Sequence, residues 1–498
     1  MRALHRMLAM TAAVGAAITM SAAGALTAAS AGTTSARPAG ASPAAAGRAG
    51  NTITLANHAE FAGYDAATDA AGTTYIGWIA STGFDADRTV YLCTLPRGKT
   101  SCAGGIKSTP SLSGSTAAGL HVLVTGVGKV TLVWSHTTTA SESVANGDEI
   151  ATATRQSDGS LSAAKDMATA PSFGTLLDAT LGPQGSIWVV YDPSGPGSKL
   201  QIRPGLSSPA VTLTTPYEVG TAQIRFAGST AVLAVQKAGA ITFPVAYAHN
   251  SGHGWSGFRK LARTWTAAAN LGLASTRSGV RLLASVGNAD YWPVVSRFTG
   301  SSFTRPQLTG DRNDCAPSSH DPVGDASGRM ADVSNECDKL AVANLTDTLH
   351  AAVVRFGDGG TLAGGIPQIT TTPRGRGWVV WGIESSSANK LLAVPVLLPG
   401  RLRTVTARSH SDKVLLTGPA SCLPPVTVHL RLRGEAASHW HVVSHTLRLD
   451  GAIHSTTLKG ASLAAGRRYT LTGRVVFGDG SARRAVTAKL TFLSCPNS

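Results

Sequence analysis

The sequence predicts an all-β protein, because short alternating apolar segments bounded by turn-forming residues recur along most of its 498 residues. The clearest segment is Thr372 to Trp381, where a turn and a glycine precede alternating apolar residues. It ends on a large residue six positions after Gly375. Between residues 52 and 400 no segment carries a capped 3.6-residue apolar period, so helix should be scarce.

This frame of a glycine followed six positions later by the end of a strand recurs along the chain. The copies are Gly72 to Trp78, Gly128 to Trp134, Gly185 to Tyr191, Gly228 to Ala234, Gly279 to Ser285, Gly328 to Ser334 and Gly375 to Trp381. From residue 72 to residue 375 they give a mean period of about 50 residues. Repeated strand units of this length fit the four-stranded blades of a β-propeller. Seven copies therefore predict a seven-bladed β-propeller over residues 52–400, with a parallel β-helix, whose coils are less than half this long, as the alternative.

The N-terminus has the pattern of an export signal. Arg2, His5 and Arg6 precede an apolar run from residue 7 to residue 26, and Ala29-Ser30-Ala31 offers a cleavage site. We interpret residues 1–31 as a signal peptide; a retained membrane anchor is the alternative, disfavoured because the run is weakly hydrophobic. Residues 32–51 are Gly-, Ser-, Ala- and Pro-rich and predict a flexible linker. We expect a monomer without a transmembrane segment, secreted and extracellular or loosely associated with the cell wall.

The cysteines agree with export. Six occur, and six allow 15 pairings. They form three sequential pairs separated by 9, 22 and 73 residues, and none lies in a Cys-x-x-Cys arrangement. We therefore predict the disulfides Cys93–Cys102, Cys315–Cys337 and Cys422–Cys495.

The repeat region resembles secreted bacterial β-propellers of the sialidase-like class. The resemblance rests on strands such as Gly72 to Trp78 and on degenerate Asp-box-type repeats, of which residues 68–75 are the nearest match. That match, TDAAGTTY, has one residue too many between Asp69 and Gly72 for the Ser-x-Asp-x-Gly-x-Thr-Trp pattern. The resemblance implies the propeller fold and says little about chemistry.

Residues 401–498 differ in composition, with 14 Lys plus Arg and 4 Asp plus Glu, a net charge of +10. Val426, Val428, Leu430 and Leu432 alternate with polar residues, and short strands follow one another to the C-terminus. With cysteines near both ends, this region predicts a small immunoglobulin-like β-sandwich, in which Trp440 is the candidate core tryptophan.

The basic charge of this region is the strongest functional indication in the sequence. Five basic residues fall on outward positions of predicted strands: Arg431, Arg433, Arg448, Arg474 and Lys489. Such a surface attracts polyanions without reading a sequence, so an anionic cell-wall polymer or acidic polysaccharide is the expected partner and specific nucleic-acid recognition is not. A basic surface that serves solubility alone is the alternative.

Acidic residues concentrate in one place. Asp311, Asp314, Asp321 and Asp325, followed by Asp332, Glu336 and Asp338, lie around the predicted Cys315–Cys337 loop. Oxygen ligands of this kind suit calcium or the rim of a ligand site. A solvated loop is the alternative, because no complete Asp-x-Asp-x-Asp-Gly run is present. No cofactor is required; calcium is the one that this cluster would take.

Catalytic residues cannot be assigned from the sequence. A sialidase-like reaction would need three arginines, a tyrosine nucleophile and an acid that converge, whereas Tyr75, Tyr91 and Tyr291 fall inside predicted strands. His439 and His441 share one strand face, but no third metal ligand can be named beside them. The sequence therefore favours a secreted, non-catalytic protein that binds glycan or cell-envelope polymer. The alternative is an extracellular glycoside hydrolase or polysaccharide lyase of the sialidase-like propeller type.

Overall fold

A computed structural model describes the chain from residue 48 to residue 494, with gaps. The described residues are 48–81, 88–110, 115–138, 147–167, 175–193, 198–238, 244–261, 271–276, 279–286, 292–308, 321–324, 330–336, 339–345, 352–356, 362, 366–372, 376–385, 388–397, 402–419, 422–423, 427–437, 439–464 and 467–494. The predicted signal peptide and most of the predicted linker lie outside them.

The described residues between 48 and 397 form β-strands that make seven sheets in succession. Two short strands come first: β1 (Arg48–Ala49) and β2 (Ile53–His58). The first four sheets contain β3 (Glu60–Thr68), β4 (Thr74–Ser81), β5 (Thr89–Leu95) and β6 (Lys107–Pro110); β7 (Ser115–Gly126), β8 (Lys129–Thr138), β9 (Gly147–Thr154) and β10 (Lys165–Asp166); β11 (Thr175–Leu181), β12 (Ile187–Asp192), β13 (Lys199–Arg203) and β14 (Val211–Thr214); β15 (Val219–Ala227), β16 (Thr230–Lys237), β17 (Val245–Asn250) and β18 (Arg259–Lys260).

Three further sheets complete the region. They contain β19 (Gly272–Thr276), β20 (Gly279–Val286), β21 (Trp292–Arg297) and β22 (Gln307–Leu308); β23 (Asp321–Gly324), β24 (Met330–Glu336), β25 (Lys339–Leu345) and β26 (Ala352–Phe356); and β27 (Gln368–Thr371), β28 (Arg376–Ile383) and β29 (Asn389–Leu397). In the seventh sheet β1 and β2 both pair with β29, so the two ends of the region meet in one sheet. Every pairing in the region is antiparallel, which excludes the parallel β-helix for the described residues.

The first strands of the sheets follow one another around a ring. β3 contacts β7, β7 contacts β11, and the series continues through β15, β19, β23 and β27, which contacts β3 again. Apolar residues fill the space between successive sheets; one such cluster joins Tyr75 and Ile79 of the first sheet to Leu132 and Trp134 of the second. The arrangement is propeller-like. The all-β prediction is confirmed, since the described residues contain no α-helix and only two short 3-10 turns, Pro183–Gly185 and Gly460–Ser462.

The repeated glycines have a conformational cause. Gly72, Gly128, Gly185, Gly228 and Gly279 all have φ between +62° and +114°, a region that residues with a Cβ rarely adopt. The first four stand in the turn that leads into the second strand of their sheet, and Gly279 is the first residue of that strand. The large residues six positions later, Trp78, Trp134, Tyr191 and Trp381, are all buried. In the first three sheets the repeat therefore encodes both a tight turn and a large core residue.

The described residues of the C-terminal region form ten strands. They are β30 (Leu402–Ser409), β31 (Asp412–Pro419), β32 (Cys422–Leu423), β33 (Thr427–His429), β34 (Arg431–Glu435), β35 (His441–Leu449), β36 (Ala452–Ile453), β37 (Thr457–Lys459), β38 (Arg468–Gly478) and β39 (Arg483–Ser494). The order β30-β31-β34 makes one sheet and β32-β39-β38-β35-β36 a second, while β33 pairs with β37. The two larger sheets share one core, in which Val414 and Leu416 meet Leu471, Val475 and Phe477.

Trp440 is not the central core residue that the sequence suggested. It is partly buried and packs against the core, whereas the fully buried aromatic residue is Phe477. The guanidinium carbon of Arg484 lies 4.0 Å from the centre of the Trp440 ring. Trp440 therefore covers a charged group at the edge of the sandwich.

Cys93 and Cys102 form a disulfide bond, as the spacing predicts. Cys315, Cys337 and Cys495 lie outside the described residues, so the other two pairings stay predictions. The backbone of β32 supports one of them, because Leu423 pairs with Ser494, the residue before Cys495. Among the described residues, no helix has the length and apolar character that crossing a bilayer requires.

Candidate functional site

The five predicted polyanion-binding side chains all point outward, but they lie on two opposite faces of the C-terminal region. Arg448, Arg474 and Lys489 are exposed on β35, β38 and β39 of the five-stranded sheet. Arg431 and Arg433 are exposed on β34 of the three-stranded sheet. Because the two sheets pack core to core, the single basic face that we expected is divided by the hydrophobic core. We call the outward faces the β38 face and the β34 face.

The β38 face is basic and free of carboxylates at its described outward positions. These positions are Ser444, Thr446 and Arg448 on β35; Arg468, Thr470, Thr472, Arg474 and Val476 on β38; and Arg483, Ala485, Thr487, Lys489 and Thr491 on β39. Thr472 pairs with both Arg448 and Lys489, so these two basic residues flank it in one row. At a strand spacing of about 4.8 Å, their backbones lie about 10 Å apart.

The β34 face is less basic, because one of its residues is a carboxylate that lies close to two of its cations. The Glu435 side chain lies 3.8 Å from Lys413 Nζ and 3.9 Å from Arg433 Nε. Arg433 is 77% exposed, so these ion pairs are weak and screened. The β38 face is therefore the stronger candidate for a polyanion.

The predicted acidic rim cannot be placed as a group. Asp311, Asp314 and Asp325 lie outside the described residues. Asp321 begins β23, the first strand of the sixth sheet, and pairs with Val333. Asp332 is buried within that sheet, at 3% exposure, and does not lie on an exposed rim. The calcium or ligand role of the cluster stays a prediction.

A channel lined by both polar and apolar residues lies where the first strands of the sheets meet. Its cavity has a volume of about 520 Å³ and is lined by residues of all seven first strands. The residues seven positions before each repeat glycine fall on these strands: Asp65, His121, Asp178, Thr221, Gly272, Asp321 and Gln368. Asp65, His121, Asp178, Thr221 and Gln368 line the cavity. The repeat thus places a polar side chain at the channel in five of the seven sheets. Gly272 has no side chain to contribute, and the side chain of Asp321 lies outside the described part of the structure.

The channel carboxylates join neighbouring sheets. Asp65 Oδ2 accepts a hydrogen bond from the Val122 backbone N–H at 2.6 Å, and Asp178 Oδ2 accepts one from Ile224 at 2.6 Å. Arg225 donates to Asp178 over 2.6 Å, and His121 Nδ1 lies 4.0 Å from the same carboxylate. Burial deep in the protein raises the pKa of Asp65, although the charges of His121 and Arg225 and two backbone N–H groups partly oppose this. The polar groups of the channel thus hold the ring together and also present a carboxyl group that retains its proton more readily than usual.

The Asp-box-like segment has a structural role despite its extra residue. Asp69 is buried and accepts hydrogen bonds from the Thr73 backbone N–H at 2.9 Å and from the Tyr75 hydroxyl at 3.0 Å. The Gly128 N–H of the second sheet lies 3.3 Å from the same carboxylate. Asp69 therefore fixes its own turn and bridges to the next repeat.

The described residues do not assemble a sialidase-type constellation. Arg225 is the one arginine among the described residues that line the channel. Tyr75 is buried in the core, as expected, and Tyr91 stacks on Trp78 with ring centres 5.4 Å apart. Tyr291 lies outside the described residues. His439 and His441 are both exposed, and β35 begins at His441, so His439 lies outside the strand that the two residues were expected to share.

Comparison with known proteins gives no family assignment. No family model matches the chain, and no curated protein matches it. Among solved structures, a Hadza microbial sialidase, Hz136, is 10% identical with a TM-score of 0.40, over 61% of this chain and 68% of that one. The intramolecular trans-sialidase from Ruminococcus gnavus is 10% identical with a TM-score of 0.41, over 62% of this chain and 97% of that one. The polysaccharide lyase Uly1 is 9% identical with a TM-score of 0.39, over 73% of this chain and 94% of that one. At these sequence identities and TM-scores, none of the three structures bears on the function of this chain.

Proposed function

We propose that this protein is a secreted, non-catalytic binding protein that holds an anionic cell-envelope polymer or acidic polysaccharide on the β38 face. The observation that carries the proposal is the composition of that face: Arg448, Arg474 and Lys489, with Arg468 and Arg483 at its ends, and no carboxylate at its described outward positions. Several cations on one surface attract a polyanion through their summed field, and binding releases condensed counterions.

The polar residues between these cations support the same function. Thr446, Thr470, Thr472, Thr487 and Thr491 alternate outward on the same strands. Their hydroxyl groups both donate and accept hydrogen bonds, so they can pair with sugar hydroxyls or phosphate oxygens between the fixed charges. The acids nearest this sheet have partners of their own: Asp450 pairs with Arg467 at 3.0 Å and accepts the Thr470 N–H at 2.7 Å, and Asp479 accepts the N–H groups of Ser481 and Ala482.

In this proposal the first 31 residues direct export, and the seven sheets between residues 52 and 400 are the blades of a propeller that serves as the recognition platform. The pairing of β1 and β2 with β29 supports closure of that ring by the N-terminal strands. Residues 401–498 form the basic, immunoglobulin-like adhesion module. The packing around one core of two sheets that are antiparallel except for the β32–β39 pair supports that assignment.

The proposal is tested with two matched triple variants of the full secreted protein. One reverses Arg448, Arg474 and Lys489 to Glu on the β38 face; the other reverses Arg408, Arg431 and Arg433 to Glu on the β34 face. Affinity is measured for a wall teichoic polymer and for polygalacturonate at 50 and 200 mM salt. Because each basic residue near an anionic surface contributes about 1 kcal/mol, the first variant should bind about 100-fold more weakly at low salt.

The β34-face variant should bind nearly as well as the wild-type protein, although its net charge changes by the same amount. Equal losses in the two variants would show that net charge alone governs binding, and no binding by the wild-type protein at 50 mM salt would remove the proposal. Circular dichroism of both variants checks that they fold.

A second function, hydrolysis or elimination of a glycan in the channel, is favoured by one observation. The pKa of Asp65 is raised beside a cavity large enough for a sugar unit, as suits a general acid. Asp65→Asn would then abolish cleavage of an acidic polysaccharide while leaving its binding to the β38 face unchanged. We favour the binding function because Asp65 and Asp178 already accept backbone hydrogen bonds that join the sheets.

A further inference from the structure

Three neighbouring strands of the second sheet each contribute one metal-ligating side chain to the same place. These are His136 on β8, Glu149 on β9 and Asp166 on β10. His136 pairs directly with Glu149, and Asp166 pairs with Ala151, two residues further along β9. Residues two apart on a strand point to the same side of the sheet, so all three side chains share one face.

The ligand atoms are close enough to surround one ion. His136 Nε2 lies 2.7 Å from Asp166 Oδ1 and 4.0 Å from Glu149 Oε2, and all three ligand atoms lie within 4.8 Å of one another. Ligands at about 2.1 Å from a tetrahedral ion lie about 3.4 Å apart. The separations fall on both sides of this value. Glu149 and Asp166 are 41% and 45% exposed, so their side chains have room to adjust.

The charges around the cluster are unbalanced. Two carboxylates face one imidazole, and within the part of the chain that the structure describes no lysine or arginine forms an ion pair with either carboxylate. A divalent cation would compensate both charges, and a neutral imidazole is one of the commonest metal ligands.

The burial of His136 is a second, independent observation. Its side chain has no exposed surface, yet its Nδ1 has no hydrogen-bond partner among the described residues. A buried polar group without a partner is costly, and coordination at Nε2 would not pair Nδ1, so the cost of burying this ring has to be offset by what Nε2 does. Metal coordination at Nε2 would provide a reason to hold this ring in the core with Nε2 directed at two carboxylates.

We propose that His136, Glu149 and Asp166 form a binding site for a divalent transition metal of the zinc type. One imidazole nitrogen and two carboxylate oxygens are ligands that zinc accepts, whereas calcium prefers six or more oxygens. Three protein ligands leave a fourth position for water or an oxygen of a bound molecule. This site lies in the second sheet and is independent of the β38 face and of the predicted calcium cluster.

The test is titration of the mature, EDTA-treated protein with Zn²⁺, and in separate titrations with Ca²⁺, by isothermal calorimetry. Glu149→Gln and Asp166→Asn each remove one exposed ligand without changing the core, so both should fold. Asp158→Asn is the matched control, because Asp158 is an exposed acid of the same repeat that bonds Ser160 instead. His136→Gln is a third variant, and circular dichroism reports whether it folds.

The expected result is one saturable Zn²⁺ site per chain that weakens at least tenfold in Glu149→Gln and in Asp166→Asn and is unchanged in Asp158→Asn. Substitution with Co²⁺ should give the visible absorption of a four-coordinate ion in the wild-type protein and lose it in both ligand variants. Zinc affinity equal in wild type and ligand variants would show that binding occurs at other histidines. That result, or saturable binding of Ca²⁺ in place of Zn²⁺, would overturn the proposal.

Discussion

Asp178 in the ring of sheets and the cations on the β38 face of the C-terminal region lie in opposite environments, buried in the first and exposed in the second. In the ring, Asp178 is 2% exposed and shares one oxygen between the Ile224 N–H and Arg225. On the β38 face, Arg474 and Lys489 point into solvent among threonines, with no carboxylate on the same outward face in the described residues. The difference separates charges that maintain the fold from charges that are available to a partner.

The C-terminal region also contains one charged residue that maintains the fold. Asp412 is fully buried, accepts the Ala437 N–H at 2.9 Å and forms a hydrogen bond with Arg484. Arg484 stacks on Trp440, so it is held on two sides. Burial together with a carboxylate or cation partner therefore identifies the structural charges in both regions. The cations of the β38 face are exposed, and the hydrogen bond of Arg448 goes to a backbone carbonyl, that of Gly451.

The largest effect that we predict is confined to the C-terminal region. If Cys422 and Cys495 are bonded, replacing both by Ala removes a 73-residue loop closure, worth about 4 kcal/mol on the chain-entropy model. Hydrogen exchange followed by mass spectrometry should then show lower protection in peptides from residues 427–494 and unchanged protection in peptides of the ring. Unchanged protection in both regions would mean that the bridge is absent.

The next effect belongs to the ring. Asp178→Ala leaves the buried Ile224 N–H and the Arg225 guanidinium without their acceptor, so the ring should lose about 3 kcal/mol of unfolding free energy. Tryptophan fluorescence during urea unfolding reports this, because eight of the nine tryptophans precede residue 400. Asp158→Ala, which removes an exposed acid of the same region, should cost far less. Similar costs for the two variants would contradict a structural role for the channel carboxylates.

The sequence was informative about the fold because the repeat follows from local backbone geometry. A positive φ at Gly72 or Gly128 is required by one turn, and a buried tryptophan six residues later fills one core position. The glycine and the tryptophan are only six residues apart, so the pattern can be recognised in the sequence without knowledge of the tertiary structure. The pairing of β1 and β2 with β29 was not visible, because it depends on contacts more than 300 residues apart.

The candidate sites were less predictable. Alternation shows that Arg431 and Arg474 point outward, but it cannot show that their strands belong to different sheets. The channel residues Asp65, His121 and Asp178 were missed, although a signal existed: each stands seven positions before a repeat glycine. His136, Glu149 and Asp166 give no such signal, because strand pairing across intervening loops brings them together.

A smaller effect is expected at the repeat glycine itself. Gly128 has φ of +73° and no atom close to where a Cβ would lie, so Gly128→Ala should cost only the backbone strain, about 1 to 2 kcal/mol. Gly126 lies two residues earlier without a positive φ, and a Cβ there would meet no atom closer than a Lys129 carbon at 3.6 Å. Gly126→Ala should therefore be neutral or slightly stabilising. Equal losses in urea unfolding of the two variants would show that the repeat glycine is not selected for its backbone conformation.

The smallest effect is a difference in pH dependence between the two regions. Burial raises the pKa of Asp65 above its unfolded value of about 3.9, so between the two values the folded ring binds more protons than the unfolded chain. The unfolding free energy of the ring should therefore decrease as pH rises through that window. For Asp412, burial alone would raise the pKa, but the hydrogen bonds from Arg484 and Ala437 and the nearby positive charges lower it overall. Its contribution is present above pH of about 3.9 and is lost as pH falls from there through its lowered folded pKa.

These opposite signs can be measured in one experiment on the full chain. Samples are equilibrated in urea between about pH 3 and pH 6 and then labelled by a short hydrogen-exchange pulse at one common pH, so that peptides of each region report their own unfolding. A single proton changes the slope by at most about 1.4 kcal/mol per pH unit. Asp65→Asn should remove its contribution from ring peptides alone, and Asp412→Asn should do so in peptides of residues 427–494 alone. The same sign in both regions would show that Asp65 and Asp412 are not the groups that set the pH dependence.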